Sequence, residues 1–393
     1  MKTVYPLVAD SWGNEELEAL QRVIKSRRFT MGEEVMAFEK EFAKKVGSKY
    51  AIMVNSGSSA NLIAVTALTF FDDETSLEDG DEVIVPAIGW STSYSPFYFC
   101  GKKIKIKVVD VDLDTLNISF EKIKNAFSRK TMAVLAINIL GNPCALPEIK
   151  SFCEDKGIWF IEDNCESLGA EIGGKQCGTF GNGGTFSSFF SHHMSTMEGG
   201  IMVTDDEMIA HMAMELRAHG WTRDLPKNSP IYQKPENWRY ENYDFSIPGF
   251  NVRPLELEAA VGREQLKKID RFIEQRRKNA DVFLKFFLGD ERFIIQREVG
   301  KSSWFDFSVI LNPKYKINRD KVWDGLKNAG IEFRPITGGN FAQHRAARYY
   351  DYEVSGGLPN ATLAHDNGFF VGNFHYDISE KIEYFYNVLI NLV

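Results

Sequence analysis

The chain has 393 residues, a formal net charge of −8 and a hydrophobic fraction of 44%. Its length exceeds what one simple core needs and predicts two domains. The acidic balance argues against nucleic acid as a partner, because binding a phosphate backbone requires a basic face. No apolar run approaches the ~18 residues of a membrane-spanning helix, and the first 20 residues lack the apolar run of a signal peptide. We therefore expect neither a membrane nor nucleic acid as a partner.

The cysteines are five in number, and none forms a C-x-C or C-x-x-C pair. An odd set of isolated thiols in a chain of this size predicts reduced cysteines in a cytoplasm, not a disulfide framework. They are Cys100, Cys144, Cys153, Cys165 and Cys177.

The first elements are two helices and a strand that ends in a Gly/Ser turn. Apolar residues recur with helical spacing over residues 15–27 and 35–46, and Tyr50–Val54 is a short apolar strand. The turn at residues 55–58 leads into a helix that we predict from Ala60 onward. Backbone N–H groups at such a helix start attract an anion, although a turn of this composition is common in proteins without one.

Strands and helices then alternate. A strand over residues 83–85 leads to a loop with Trp90, and two more strands, 103–112 and 131–140, enclose a helix over residues 120–127. The order β-α-β-α predicts a mostly parallel sheet covered by helices on both faces. A tryptophan in the loop fits a core or interface position as well as a ligand contact.

An acidic pair follows the next buried strand, residues 157–161. Ligand sites of α/β sheets lie at the carboxyl ends of the strands, where Glu162 and Asp163 stand. Glu166 comes three residues later. A helix cap or a surface salt bridge would also account for acids at this position.

The stretch FSSFFSHHMSTMEGG, residues 186–200, carries the most specific signal. It resembles the active-site segment of the DegT/DnrJ/EryC1/StrS sugar aminotransferases, roughly F-S-F-x-x-x-K-x-x-x-x-x-E-G-G, in which the lysine carries pyridoxal phosphate as a Schiff base. Six residues before Glu198 stands His192, and the nearest lysines are Lys175 and Lys227. Within the family, histidine at this position marks the sugar 3-dehydratases.

The resemblance implies the aspartate-aminotransferase fold, a pyridoxal phosphate or pyridoxamine phosphate cofactor and a homodimer with a shared active site. It places a large α/β domain with a mostly parallel sheet at residues 1–265 and a smaller α+β domain at residues 266–393. In the second part we predict strands at residues 305–311 and 330–334 and helices at residues 320–329 and 379–390. The implied cofactor residues are Gly57, Ser58 and Ser59 at the phosphate, Trp90 at the ring, Asp163 at the pyridine nitrogen, and Glu166, Ser187 and Asn251, the last from the other subunit. Arg334 is the implied substrate residue. His193, adjacent to His192, is expected to be either a structural residue or a secondary substrate contact.

Histidine in place of lysine has a chemical consequence. Imidazole forms no stable covalent link to the cofactor aldehyde, so the cofactor is expected to be held non-covalently and to persist in its amine form. The hypothesis is that His192 transfers protons while the C3 hydroxyl leaves a nucleotide-linked 4-keto-6-deoxy sugar. The resemblance implies L-glutamate as the amino donor and suggests GDP as the nucleotide.

Other interpretations fit parts of the same pattern. A sugar aminotransferase could use a different lysine, and an inactive relative could bind the cofactor or a nucleotide sugar as a regulator. A third branch of the family carries an iron–sulfur cluster on closely spaced cysteines. No cysteine follows Cys177, which predicts that no iron–sulfur cluster is bound. We also expect no other metal.

Overall fold

The computed structural model describes residues 3–235 and 237–393. Its strands are β1 Tyr50–Val54, β2 Glu82–Pro86, β3 Lys105–Val109, β4 Thr131–Ile137, β5 Trp159–Asp163, β6 Glu171–Ile172, β7 Lys175–Gln176, β8 Gly183–Ser187, β9 Gly200–Thr204, β10 Phe293–Ile295, β11 Asp306–Leu311, β12 Phe333–Pro335, β13 Tyr352–Ser355 and β14 Gly368–Gly372.

Helices cover both faces of the larger sheet and flank the smaller one. They are α1 Asn14–Ser26, α2 Glu33–Val46, α3 Gly57–Ala67, α4 Ser91–Tyr94, α5 Pro96–Phe99, α6 Phe120–Ala126, α7 Leu146–Lys156, α8 Glu207–Arg217, α9 Trp238–Glu241, α10 Glu256–Phe287, α11 Arg319–Asn328, α12 Pro359–Asn367 and α13 Ser379–Ile390. The predicted helix at 379–390 coincides with α13, and the helix predicted at 320–329 is shifted by one residue.

The larger sheet has the strand order β1-β9-β8-β5-β4-β2-β3-β13. All neighbours from β8 to β13 are parallel, and β9 alone runs antiparallel to both of its neighbours. The central strands β2 and β8 are buried along their whole length, and β4 and β5 are buried at all but one residue each, as expected for a sheet with helices on both faces. The predicted mostly parallel α/β architecture is confirmed.

The smaller sheet, β10-β11-β14-β12, is antiparallel throughout. It shares an aromatic core with α13 and the second half of α10, built on Phe283, Phe287 and Phe307. The first half of α10 packs on α1 and α2, so this helix runs between the two sheets. The boundary predicted at residues 265/266 falls within α10, and β13 from the predicted small domain joins the large sheet beside β3. The boundary itself stays a prediction.

The start of α3 differs from the prediction. The helix begins at Gly57, not at Ala60, because the Ser56 side chain accepts a hydrogen bond from the Ser59 backbone N–H at 3.1 Å and caps the first turn. Ser58 and Ser59 consequently lie in the helix and not in the turn before it.

The carboxyl ends of β2, β4, β5 and β8 share one edge of the large sheet, because these strands are parallel. The connection between β8 and β9, residues 188–199, folds over this edge as a wide hairpin in which the Ser188 N–H bonds to the Gly199 carbonyl. This connection carries both histidines of the 186–200 motif.

No helix within the described ranges is long and apolar enough to cross a membrane. The described residues contain no group of three or more His, Cys, Asp or Glu side chains placed to hold a metal ion. All five cysteines are free thiols, four of them buried.

The segment that follows β12 approaches the loop after β2 through a contact between two glycine backbones. Gly338 has φ +65, and a Cβ atom there would lie 1.7 Å from the carbonyl oxygen of Gly89. Only glycine combines this left-handed conformation with so close an approach. The contact holds Thr337, the preceding residue, beside the loop that follows β2.

Gly338→Ala is therefore expected to lower the free energy of unfolding by about 2–4 kcal/mol, because the methyl group displaces the Gly89 backbone and the left-handed φ becomes strained. Gly157→Ala is the matched control: its φ is +64 and nothing lies within 4 Å of the added Cβ. The control should lose only about 1–2 kcal/mol. Urea unfolding of both variants measures the difference, and equal losses would contradict the close contact.

Candidate active site

Asp163 presents a fixed carboxylate at the carboxyl end of β5. Its Oδ2 atom accepts hydrogen bonds from Asn61 Nδ2 at 2.8 Å and Ser93 Oγ at 2.7 Å. Its Oδ1 atom accepts from the Cys165 backbone N–H at 3.0 Å. Three donors from three separate segments hold the buried group in one orientation.

The start of α3 lies next to this carboxylate. Asn61, on the second turn of the helix, also accepts a hydrogen bond from Thr185 Oγ1 at 2.5 Å, which ties α3 to β8. Gly200 lies against the turn: a Cβ there would be 2.1 Å from the Ser56 carbonyl oxygen and 2.5 Å from the Gly57 nitrogen. The helix N-terminus is thus fixed between two strands, with the backbone dipole that favours an anion.

The three predicted phosphate residues occupy the first turn of α3. Ser58 Oγ lies 2.7 Å from Thr92 Oγ1, and Ser59 Oγ donates to Asn55 Oδ1 at 2.7 Å. Gly57 packs so closely under Ser187 that an added Cβ would lie 2.7 Å from the serine Cβ. The structure therefore brings Gly57, Ser58 and Ser187 together at one end of the site.

His192 lies on the connection between β8 and β9, with its ring largely enclosed. The edge of the ring meets Phe305 at a centroid distance of 5.1 Å and an interplanar angle of 84°. Burial lowers the pKa of His192 to about 4, although the backbone at Ser187 and Cys165 and the charge of Asp163 act in the opposite direction. The imidazole is therefore uncharged at neutral pH.

The Nδ1 atom of His192 is buried and has no hydrogen-bond partner among the described residues. Buried polar atoms without a partner are rare in folded proteins. His192 lies on the connection that folds over the carboxyl ends of the parallel strands, so a ligand bound there would supply the missing partner.

His193 points into the protein interior. It is buried, its Nε2 atom lies 3.2 Å from the Ser303 carbonyl oxygen, and its ring packs on Phe305. Burial and the charge of Arg276 hold the pKa of His193 well below its usual range. This environment favours the structural role, one of the two predicted for His193, over a substrate contact.

Glu166 lies on the loop after β5, three residues beyond Asp163. Its Oε2 atom accepts a hydrogen bond from the Leu140 backbone N–H at 2.9 Å. Burial raises the pKa of Glu166 to about 7 and the charge of Asp163 adds to the rise, while the contacts with Leu140 and Thr337 oppose it. Near neutral pH this carboxyl group is present in both protonation states.

Three other predicted residues are exposed and lie at the outer rim of the candidate site or outside it. Trp90 immediately precedes α4 and is 59% exposed. Asn251 is exposed, accepts a hydrogen bond from Arg253 Nε at 3.0 Å and precedes Val252, whose carbonyl accepts from the Asn55 N–H. Arg334 is exposed and lines a groove of about 390 Å³ with the N-terminal segment. No described contact joins Arg334 to the other site residues.

Four side chains at the site were not predicted. Asn61 and Ser93 hold Asp163, and spacing could have indicated both, because they follow Gly57 and Trp90 by about one helical turn. Thr337 and Phe305 come from distant parts of the chain. No local pattern marks either of them.

These groups together fit pyridoxal phosphate. A fixed carboxylate suits a protonated pyridine nitrogen, and a helix start suits a phosphate. The unpartnered imidazole nitrogen of His192 lies on the β8–β9 connection over the same edge of the sheet. No described lysine is part of this group of residues: Lys175 lies on the exposed β6–β7 hairpin and packs on Phe180.

Comparison with known proteins extends the likeness to the whole chain. A model of the DegT/DnrJ/EryC1/StrS aminotransferase family matches residues 10–382. The GDP-4-keto-6-deoxy-D-mannose 3-dehydratase of Yersinia pseudotuberculosis is 48% identical over 387 residues, 98% of each chain. Two crystal structures of GDP-4-keto-6-deoxymannose-3-dehydratase have TM-scores of 0.95 at 47% identity and cover 98% of this chain and 100% of their own. One is a histidine-to-asparagine mutant with bound GDP-perosamine, and the other holds a trapped PLP–glutamate geminal diamine.

The protonation of Glu166 gives a prediction for the cofactor-free protein. A carboxyl whose pKa rises from 4.5 to about 7 on folding makes the folded state bind more protons, so wild-type stability falls as pH rises through this window. Glu166→Gln removes the titration. The free energy of unfolding of Glu166→Gln minus that of wild type should therefore be higher at pH 8 than at pH 5, by roughly 2–3 kcal/mol.

Urea unfolding at the two pH values measures this change. The exposed Glu383→Gln is the control for the loss of one carboxylate. If both variants show the same pH dependence relative to wild type, the raised pKa of Glu166 is contradicted.

Proposed function

The chain belongs to the DegT/DnrJ/EryC1/StrS aminotransferase family, and we propose that it is a pyridoxal phosphate-dependent 3-dehydratase of a GDP-linked 4-keto-6-deoxy-mannose. It removes the C3 hydroxyl and yields the 4-keto-3,6-dideoxy sugar. L-Glutamate restores the amine form of the cofactor, so the coupled products are 2-oxoglutarate and ammonia. The 48% identity to a named 3-dehydratase supports this activity, and the observation that carries it is His192 in the place of the family's lysine.

The cofactor's own contribution is general. When bound, pyridoxamine phosphate supplies an amino group for the C4 ketone and a ring that accepts electrons. The chain keeps the nitrogen of that ring protonated and fixes the position of the ring. We assign Asp163 to the pyridine nitrogen, because a carboxylate fixed by Asn61 and Ser93 raises the pKa of an adjacent ring nitrogen.

The remaining cofactor contacts follow from position. Gly57, Ser58 and Ser59 offer the first turn of α3 to the phosphate, and Ser187 lies directly beneath that turn. Trp90 stands at the rim, where an exposed indole is available to cover one face of a planar ring.

His192 is the proton carrier in this proposal. Its ring is uncharged at neutral pH because burial lowers the pKa to about 4, so it enters the reaction ready to accept a proton. The phosphate groups of cofactor and substrate add negative charge nearby, which raises the pKa of an imidazole toward the range suited to proton transfer. The same ring then delivers a proton to the departing C3 oxygen.

Arg334 remains a proposal for the substrate. Its exposed guanidinium suits a phosphate group, which arginine binds with two parallel hydrogen bonds. Glu166 has a carboxyl that titrates near neutral pH beside Asp163, so in its protonated form it can donate a hydrogen bond to the cofactor.

A homodimer is part of the proposal. Several large apolar side chains are exposed at or near the site, which is typical of a surface covered by a second copy. They are Trp90, Phe190, Met197, Phe245 and Leu255. The exposed Asn251 lies in this region and would reach the cofactor phosphate of the partner's site.

Incubation with pyridoxal phosphate, L-glutamate and GDP- or CDP-linked 4-keto-6-deoxy sugars tests the function. We expect ammonia and a 3-deoxygenated product in equal amounts with the GDP-linked 4-keto-6-deoxy-mannose. An aminotransferase would yield a 4-amino sugar without ammonia, and an inactive relative would yield neither. Either of these results would replace the proposed activity.

His192→Asn tests the proton carrier. Asparagine keeps a polar side chain of similar length but transfers no proton, so dehydration should fall by about 10²–10⁴-fold while cofactor binding stays nearly intact. His193→Asn is the matched comparison, one residue away and buried against Ser303. Product formation is followed by ammonia release and cofactor binding by absorbance; an unchanged rate in His192→Asn would disprove the assignment.

A further inference from the structure

Phe305 is the side chain that touches both histidines of the β8–β9 connection. It immediately precedes β11, and its ring lies edge-on to His192 at 5.1 Å and tilted against His193 at 5.4 Å. It reaches them from the part of the chain that builds the smaller sheet. No catalytic motif includes it.

The backbone on either side of Phe305 is clasped to the turn after β4. The Phe305 N–H donates to the Leu140 carbonyl at 3.0 Å, and the Ser303 N–H donates to the Gly141 carbonyl at 3.0 Å. Ser302 Oγ also donates to the Gly141 carbonyl, at 2.8 Å. We refer to residues 140–141 and 302–305 together as the clasp.

Both halves of the clasp contain a non-glycine residue in the left-handed region. Leu140 has φ 53 and Trp304 has φ 47, and both side chains are buried. Such conformations cost free energy and persist only where the surroundings enforce them, which is a common feature of functional sites. Asn373 Nδ2 enforces the second one by donating to the Trp304 carbonyl at 2.8 Å.

Arg276, on α10, completes the enclosure of Phe305. Its Nη1 atom donates to the carbonyls of Phe305 and Asn373, both at 2.6 Å, and its guanidinium lies 6.0 Å from the Phe305 ring centre. The position of the Phe305 ring is therefore fixed by the hydrogen bonds of the Phe305 backbone and by the guanidinium of Arg276.

We propose that Phe305 is a positioning residue for His192: the clasp holds its ring edge-on to the imidazole and so fixes the orientation in which the imidazole transfers protons. The inference rests on the proposed function of His192. Edge-to-face contacts between aromatic rings have a preferred geometry, so a fixed ring restricts the rotation of its neighbour. An imidazole rotated out of line delivers its proton poorly even when its charge state is right.

The same ring also excludes water from His192. The charged and titratable groups around the imidazole are Asp163, Arg276 and His193, and burial is the largest influence on its pKa, which lies at about 4. Glu166 has a pKa of about 7, to which the charge of Asp163 contributes. Loss of the phenyl ring would admit water to the imidazole and let its pKa rise toward ~6.5.

Two substitutions separate the effect of Phe305 on the orientation of the His192 imidazole from its effect on the burial of that imidazole. Phe305→Leu keeps most of the apolar volume and removes the flat ring, so kcat should fall by about 10–100-fold with the KM for the sugar within about 3-fold. Phe305→Ala removes both. In the cofactor-free protein the pKa of His192 should then rise from about 4 toward ~6.5, and kcat of the loaded enzyme should fall at least as far as in Phe305→Leu.

Phe307→Leu is the matched control. It lies two residues further along, fully buried and stacked on Phe283 at 4.5 Å in the core of the smaller sheet. It loses the same atoms without touching either histidine, and we expect kcat to stay within about 2-fold of wild type. Equal losses of kcat in Phe305→Leu and Phe307→Leu would overturn the proposal, because general destabilisation would then explain both.

A readout independent of turnover separates this inference from the proposed function. The histidine rings, seven in the chain, are titrated by NMR in the cofactor-free protein with ¹³C-labelled histidine, and His192→Asn identifies the signal. We expect the His192 pKa to rise in Phe305→Ala and to stay near that of wild type in Phe305→Leu. An unmoved pKa in Phe305→Ala, or wild-type kcat in Phe305→Leu, overturns the positioning role; a wild-type protein without dehydration overturns the function but leaves the titration valid.

Discussion

The hydrogen bonds that fix Asp163 are the constraint on which the site depends. Asn61 comes from α3, Ser93 from α4 and the Cys165 N–H from the loop after β5, so three connections of the sheet meet at one carboxylate. Charge-assisted bonds of this kind are stronger than bonds between neutral groups. The group that would hold a pyridine nitrogen is thus also the point where the loops of the large sheet are joined.

A second layer of contacts surrounds this centre and comes from the other sheet. Phe305 and Thr337 both lie in the chain beyond α10, and they approach His192 and Glu166 respectively. The close approach of Gly338 to Gly89 holds Thr337 at the site, and the clasp holds Phe305 there. The uncharged state of the imidazole is therefore a property of both sheets together, because burial needs walls on every side.

Local patterns were sufficient to predict much of this arrangement from the sequence. The mostly parallel sheet and helix α13 could be read from periodicity, and the spacing from Glu198 singled out His192 as the candidate proton carrier. The strand predicted at residues 157–161 runs instead from Trp159 to Asp163, so the acidic pair forms its last two residues. The start of α3 was predicted three residues too late. The sequence alone does not show that the Ser56 side chain bonds to the Ser59 N–H and so starts the helix at Gly57. What the sequence could not reveal are contacts across long separations.

Phe305 and β13 illustrate that limit. Phe305 sits more than 100 residues from the histidines it touches, and β13 crosses from the predicted small domain to pair with β3. Hydrophobic periodicity reports which face of an element is buried, but not which partner buries it. The left-handed φ of Leu140 and Trp304 is likewise invisible in sequence, since neither residue type favours that conformation.

The charge state of the site follows from the burial of His192 and Glu166. At neutral pH Asp163 keeps three hydrogen-bond donors, His192 is uncharged and Glu166 is partly protonated. A site that must take in a cofactor phosphate and a nucleotide diphosphate would be opposed by two full carboxylates at its base. Burial that raises the pKa of Glu166 removes part of one of those charges, and the binding of anions would raise that pKa further. We therefore expect Glu166 to take up a proton when the site fills, while His192 stays uncharged until it accepts the proton that it later delivers to the departing hydroxyl.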